Sequence, residues 1–166
     1  MKTLIVYYSR SGRTDKIAKQ LALKINADLE EIKDKKNRSG IFGFISSGNE
    51  AHMHINTPIN ELEKIPEDYD ITIIGTPIWA NNVSTPIRSF LKDYKEGLKD
   101  IAFFCTSMGS NPKPVFKSME KITGRKPATV MNVTARDIRK HYHIEMIDDF
   151  VKKIKQYKTN IRQNDK

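Results

Sequence analysis

The 166-residue sequence contains one cysteine, one tryptophan and no long apolar run. A single cysteine, Cys105, excludes an intrachain disulfide and suits a reducing compartment, so we expect the protein in the cytoplasm. No apolar run approaches the roughly 18–20 residues that a helix needs to cross a bilayer, and we therefore expect no membrane span. The apolar run Leu4–Tyr8 is too short for the core of a signal peptide.

Acidic residues are in the minority, since 20 Asp and Glu stand against 29 Lys and Arg and leave a net charge of +9. Most of this excess lies in two segments, 33–38 and 152–166. Basic segments can attract nucleic acid. No aromatic residues alternate with these charges as a base-stacking surface requires, so a solvated helix face is the favoured interpretation and nucleic-acid binding is the weaker alternative.

The apolar residues follow the periodicities of strands and helices, which predicts one globular domain over residues 1–159. Residues 160–166 form a polar, basic tail for which disorder is one interpretation. The predicted strands are Thr3–Tyr8, Asp28–Lys33, Asp70–Gly75, Ile101–Cys105 and Ala128–Val133. Helical patterns lie between them, so the order predicts an α/β domain with a parallel sheet.

Four helices are predicted from apolar periodicity and from local signals at their ends. A stripe from Ile17 to Ile25 marks the first helix, and Ser84, as a hydroxyl cap before Thr85-Pro86, opens another that ends near Gly97. Further helices are expected over about Pro112–Ile122 and about Glu145–Lys158.

The connection between the second and third predicted strands, residues 34–69, is unusually long. Residues 39–48 combine glycines with the large apolar residues Ile41, Phe42, Phe44 and Ile45. Three alternatives stay open: a flap over a ligand, a homodimer contact through residues 39–56, or a surface helix. Asn60–Ile65 has a short helical pattern that ends at Pro66.

The loop Ser9–Thr14 runs directly from a predicted strand into a predicted helix. Three hydroxyls, a glycine and the N–H groups of a helix start form an anion site that suits a phosphate monoester. The sequence lacks both the GxxxxGK[ST] pattern of ATP and GTP loops and the GxGxxG pattern of dinucleotide loops. In a doubly wound sheet the partner loops at the same edge are 76–82 and 106–111.

The motif Ser-x-Ser-Gly-x-Thr after the strand Thr-Leu-Ile-Val-Tyr-Tyr closely resembles the FMN phosphate loop of flavodoxins. The stretch that opens Ile-Gly-Thr-Pro-Ile-Trp-Ala-Asn-Asn at Ile74 resembles their second flavin loop. The resemblance covers nearly the whole chain. It implies a flavodoxin-like, doubly wound, five-stranded parallel sheet of order 2-1-3-4-5 with helices on both faces, FMN bound without a covalent bond, and electron transfer.

The resemblance also implies three groups of FMN-binding residues, and within them a stacking face on Trp79. The phosphate would be held by Ser9, Arg10, Ser11, Gly12, Arg13 and Thr14. The isoalloxazine ring would be lined by Pro77, Ile78, Trp79, Ala80, Asn81 and Asn82. The ring edge would face Thr106, Ser107, Met108 and Gly109.

Two departures from flavodoxins leave the function open between two classes. The chain is basic, and residues 106–111 contain no aromatic residue. We expect an electron carrier that meets redox partner proteins such as a reductase and an iron–sulfur or other acceptor. The alternative is an FMN-dependent NAD(P)H:quinone-type oxidoreductase, and no catalytic residue is assigned.

Histidine pairs at 52/54 and 141/143 have no accompanying Cys or carboxylate pattern, so we expect no metal site. Cys105 is interpreted as a core residue because it lies in a buried-strand pattern.

Overall fold

Parallel strands form the centre of the computed structural model, which describes residues 1–33 and 58–164. The strands are β1 (Thr3–Tyr7), β2 (Asp28–Glu31), β3 (Ile71–Trp79), β4 (Asn82–Val83), β5 (Asp100–Ser107) and β6 (Val130–Thr134). The order is β2-β1-β3-β5-β6, and the two-residue β4 pairs antiparallel with the end of β3. Without β4 this is the order 2-1-3-4-5, so the predicted doubly wound fold is confirmed.

Within the described residues, five helices connect the strands or follow them. They are α1 (Arg13–Ile25), α2 (Thr85–Tyr94), α3 (Lys113–Thr123), α4 (Ala135–Arg139) and α5 (His143–Asn164), with 3-10 turns at Pro66–Asp68 and Lys95–Gly97. The sequence prediction missed α4, which a reciprocal capping box between Thr134 and Asp137 starts directly after β6. Helix α5 continues past Lys158 to Asn164, so the expected domain boundary at residue 159 falls within this helix.

The sheet is buried on both faces, and alternate residues of each central strand enter two separate cores. On one face Ile5 and Tyr7 pack with α1 and α5, and on the other Leu4 and Val6 pack with α2 and α3. The largest fully buried side chains include Phe90, Phe103, Phe104 and Phe150. Burial of each is worth about 2–3 kcal/mol, and together they hold the strand ends in a fixed arrangement.

The helix predicted over Asn60–Ile65 is wrong, because this segment has no helical turn. It lies beside β2, where the Glu30 carboxylate accepts hydrogen bonds from the backbone N–H groups of Glu63 at 3.1 Å and Lys64 at 3.2 Å. Ile59 and Leu62 pack against the core. The buried Glu30 therefore receives the backbone donors that a helical pattern would have used internally.

The predicted flap or dimer segment, residues 39–56, lies outside the described residues. Among residues 1–33 and 58–164, no helix is both long enough and apolar enough to span a membrane.

Candidate functional site

The three predicted loops meet at the carboxyl edge of the sheet. The Thr14 and Thr106 hydroxyls, from the first and third loops, are 2.9 Å apart and buried. The Arg10 guanidinium lies 5.7 Å from the centre of the Trp79 ring, which joins the first loop to the second. The structure thus brings together segments that are about 70 and about 90 residues apart in the chain, as parallel strands require.

The first loop leaves hydrogen-bonding groups without partners. Gly12 occupies the cap position of α1 at a φ of 80°, and no described side chain caps the helix. The Ser9 hydroxyl oxygen is buried and has no hydrogen-bond partner among the described residues. Ser11 and Gly12 are exposed, whereas Arg13 is half-buried. An uncapped helix start beside an unpartnered hydroxyl and two arginines is suited to an anion.

The second loop is a tight hairpin rather than an irregular loop. Strand β3 does not stop at Gly75 as predicted but continues to Trp79, and Ile78 and Trp79 pair with Val83 and Asn82. Ala80 and Asn81, which form the two-residue turn, have positive φ values of 46° and 58°. Two residues at positive φ match the right-handed twist of the strands, and this turn type folds the chain back at once.

Trp79 lies at the predicted site but is largely covered. Its side chain is 6% exposed, and its ring packs edge-on against Tyr8 with ring centres 5.4 Å apart. The indole therefore belongs to the core beneath the hairpin in this structure, in contact with the first loop. Tyr8, a residue not assigned to the site from sequence, supports it.

The third loop follows directly from β5, which extends two residues past the predicted end at Cys105. Thr106 and Ser107 are buried, whereas Met108 is 73% exposed and Gly109 has a φ of 132°. Residues 106–111 contain no aromatic residue, and the exposed Met108 provides a soft apolar side chain at this edge.

Asn132 of β6 supports the third loop and was not predicted from sequence. Its side-chain oxygen accepts from the Cys105 thiol at 3.2 Å and from the Ser107 hydroxyl at 3.4 Å. The Ser107 hydroxyl in turn accepts from the Gly109 N–H at 3.2 Å. Burial raises the pKa of the Cys105 thiol, which is fully covered, and the interpretation of Cys105 as a core residue is confirmed.

Ser84 begins α2 as predicted, but its hydroxyl does not cap the helix. It lies 2.9 Å from the Thr76 hydroxyl, which also accepts from the Ser84 N–H at 3.1 Å. The side chain therefore ties the start of α2 to β3 across the hairpin. Behind it, Arg88 Nη2 donates to the Asn82 side-chain oxygen at 2.8 Å. The hairpin is thus fixed to α2 at both ends.

A family model described as flavodoxin matches residues 2–154. The chain belongs to the flavodoxin family. A flavoprotein from Lactobacillus acidophilus NCFM, crystallised in complex with FMN, is 27% identical, with 84% of this chain and 97% of that chain covered and a TM-score of 0.70. Oxidised flavodoxin 1 from Bacillus cereus has the same fold at 18% identity, with 93% and 98% covered and a TM-score of 0.53.

Beneath the first loop of this flavodoxin-family chain, β1 is bonded to α1. The Tyr7 hydroxyl donates to Asp15 at 2.7 Å, and the Lys19 ammonium donates to the same carboxylate at 2.9 Å. Burial and the Asp15 carboxylate raise the pKa of Tyr7. Partial burial opposes a low pKa at Asp15, but the bonds from Lys19 and Tyr7 outweigh it and lower that pKa.

The basic C-terminal segment and the histidines lie outside the three loops. In the second basic segment, Lys153 pairs with Asp149 and Lys158 pairs with Asp100, so part of its charge is neutralised within the domain. The rings of His141 and His143 lie 6.1 Å apart. No group of three or more metal-ligating side chains occurs in the described part of the chain. His52 and His54 lie outside it.

Proposed function

We propose that this chain binds FMN at the carboxyl edge of its sheet and transfers electrons through it. The observation that carries the proposal is the first loop, with a buried, unpartnered Ser9 hydroxyl next to a helix start that no side chain caps. A phosphate would satisfy both, since it accepts several hydrogen bonds and is stabilised by the helix dipole. The family membership and the FMN complex of the Lactobacillus relative support the same cofactor.

The first loop would hold the phosphate through Ser9, Ser11 and the backbone N–H groups that follow Gly12, with Arg10 and Arg13 supplying positive charge. Thr14 would also hold the first loop against the third, because its hydroxyl is 2.9 Å from the Thr106 hydroxyl and both are buried. When bound, the flavin supplies the redox chemistry, accepting and releasing electrons. The protein supplies its position and its electrostatic surroundings.

The hairpin 77–82 and the third loop 106–109 would line the ring. Backbone groups at Ala80 and Asn81 are held in the left-handed conformation by the two-residue turn, so they are fixed before a ligand arrives. Met108 presents an exposed apolar surface at the third loop. Positive charge from Arg10 and Arg13 favours a bound group that becomes negative on reduction, and this would raise its reduction potential.

The electron-carrier role is favoured, with a reductase as donor and an iron–sulfur protein or other acceptor. An FMN-dependent NAD(P)H:quinone-type oxidoreductase is the second candidate. Two observations favour it: the basic residues at the first loop, and the absence of an aromatic residue from residues 106–111. Binding of nucleic acid is a weaker alternative, because two lysines of the second basic segment, Lys153 and Lys158, are paired within the domain.

An FMN titration tests cofactor binding. Purified protein at micromolar concentration should quench FMN fluorescence to a single-site end point, and FAD should bind more weakly because no second dinucleotide motif is present. Absence of quenching by FMN would refute the proposal.

A turnover assay separates the two redox roles. A carrier should accept electrons from a reductase and oxidise NADPH only slowly alone. Steady NADPH oxidation with a quinone, at an enzyme-like rate of roughly 1 per second or faster, would instead establish the oxidoreductase.

A further inference from the structure

A groove between α2 and α3, on the face of the sheet away from α1 and α5, encloses about 470 Å³. Four of its six lining residues are basic. The residues are Arg88, Lys92, Lys95, Ser118, Lys121 and Ile122. None of them is assigned to flavin binding, and Arg88 contacts that site through its bond to Asn82.

Arg88 is unusual among these side chains because it is only 4% exposed. Its Nη2 donates to Asn82, but its Nε is buried with no hydrogen-bond acceptor, and no described carboxylate pairs with the guanidinium. A buried charge that is neither paired nor fully hydrogen-bonded costs several kcal/mol. Burial also lowers the Arg88 pKa, which is the direction expected for an unpaired cation. The side chain lacks an anionic partner within the described structure.

The other basic side chains of the groove add positive charge that described carboxylates only partly neutralise. Lys92 and Lys121 are exposed and form no ion pair in the described part of the chain. Lys95 lies 3.7 Å from the Glu96 carboxylate, which is itself almost fully exposed. The groove therefore has a net positive charge around a buried guanidinium, and its size suits a small ligand.

We propose that the groove between α2 and α3 binds a phosphate group, with the Arg88 guanidinium as the buried ligand and Lys92 and Lys121 as flanking charges. A phosphate fits better than a single carboxylate because four basic residues line the same groove and because the guanidinium fork matches tetrahedral oxyanions. The phosphate can be free or can be carried by a small metabolite.

The site is connected to the second flavin loop through one side chain. Arg88 bonds to Asn82, and Asn82 pairs with Trp79 in the hairpin. A phosphate that binds the Arg88 guanidinium will therefore change the hydrogen bond between Arg88 and Asn82 that holds the hairpin. Because coupling between two binding sites is reciprocal, flavin and phosphate should each change the affinity of the other by the same factor.

Calorimetric titration with inorganic phosphate, pyrophosphate and AMP tests the site. FMN-saturated protein is used, so that the first loop is already occupied, and sodium chloride of equal ionic strength is the blank. Wild-type protein should bind one phosphate per chain. Arg88→Gln should weaken binding at least tenfold, and Lys92→Gln or Lys121→Gln should weaken it severalfold. Tighter binding of AMP than of phosphate would indicate a metabolite, and equal binding would indicate the free ion.

Lys152→Gln is the matched control, because it removes one exposed positive charge from α5 on the opposite face of the sheet. It should leave phosphate affinity unchanged. Equal affinity in wild type and Arg88→Gln, or an equal loss in Lys152→Gln, would overturn the proposal. If Arg88→Gln does not fold, the Lys92→Gln/Lys121→Gln double variant decides the question, since both side chains are exposed. If FMN does not bind, the same comparison in a Ser9→Ala background still reports on the groove.

Discussion

At the amino edge of the sheet, Asp70 and Asp100 accept hydrogen bonds from other residues of the chain, whereas at the carboxyl edge the Ser9 hydroxyl has no hydrogen-bond partner among the described residues. Asp100 accepts from the Tyr157 hydroxyl at 3.1 Å and pairs with Lys158, and Asp70 accepts from the Lys2 N–H at 2.8 Å. That N–H bond lowers the pKa of Asp70. Ser9, by contrast, is adjacent to a helix start that no described side chain caps.

This difference separates a structural edge from the edge at which we propose that the ligand binds. Bonded groups at the amino edge stabilise the fold in the protein alone, whereas buried groups without partners cost free energy until a ligand satisfies them. Thr3 departs from this division, since its hydroxyl is buried without a partner at the amino edge. Thr3 lies in the buried strand β1, where a β-branched residue is favoured for its packing. Unlike Ser9, it is not next to the start of a helix.

The largest effect is expected at Gly75, which lies between the two edges. A Cβ atom there would approach the fully buried Phe104 ring to 2.2 Å. Gly75→Ala should therefore lower the free energy of unfolding by about 1–3 kcal/mol, measured by urea denaturation. Gly97→Ala is the control, because the three atoms nearest to its Cβ would all belong to the flexible Glu67 side chain. Similar losses in both variants would contradict this account of the core.

Ser9→Ala tests the carboxyl edge. Removing an unpartnered buried hydroxyl should leave the free energy of unfolding unchanged or slightly higher, because no hydrogen bond is lost. FMN affinity should fall about tenfold, corresponding to roughly 1.4 kcal/mol. Urea denaturation without ligand and fluorescence titration with FMN measure the two effects. A less stable protein with normal FMN affinity would give Ser9 a structural role.

Asp100→Ala is the opposite test at the amino edge. Loss of the bonds from Tyr157 and Lys158 should lower the free energy of unfolding by about 1–2 kcal/mol and leave FMN affinity unchanged. Asp149→Ala, which removes an exposed ion pair with Lys153, should cost less than about 0.5 kcal/mol. A change in FMN affinity in Asp100→Ala would show that the two edges are not independent.

Controls aside, the smallest effect is expected for Tyr7→Phe, at about 1 kcal/mol near neutral pH. The raised folded pKa of Tyr7 means that its stabilisation is complete below the ordinary value of 10.0 and is lost as pH rises towards the folded pKa. Denaturation at pH 7 and pH 11 should therefore show a steeper alkaline loss in wild type than in the variant. Tyr69, whose pKa burial and Asp28 raise to about 12, supplies alkaline dependence in both proteins. Equal slopes would contradict the assignment to Tyr7.

Sequence patterns predicted the parts of the fold that depend on periodic burial. The stripe from Ile17 and the apolar run at Thr3–Tyr8 correctly placed α1 and β1, because burial on one or both faces leaves a characteristic pattern. The helix expected over Asn60–Ile65 was wrong, since a long-range bond to Glu30 decides its backbone and leaves no periodic signal.

The sequence predicted the loops of the site that carry recognisable motifs, but not the residues that support those loops from elsewhere in the fold. Ser9–Thr14 and 77–82 lie where expected at the carboxyl edge, and whether they bind the cofactor stays a prediction. The supporting contacts of Asn132 and Arg88 could not be predicted, because each joins elements distant in space. One signal for Arg88 was available: it stands three residues before the buried Leu91, on the inward side of α2.

The ratio of FMN affinity to riboflavin affinity tests the central claim, that the first loop at the carboxyl edge is a phosphate site. Riboflavin lacks the phosphate and keeps the ring, so the ratio isolates the contribution of Ser9 and the start of α1. Wild-type protein should bind FMN at least 100-fold more tightly than riboflavin, or about 2.7 kcal/mol. In Ser9→Ala the ratio should fall about tenfold, whereas in Asp100→Ala it should not change. Equal affinities of the wild-type protein for FMN and riboflavin would contradict the account.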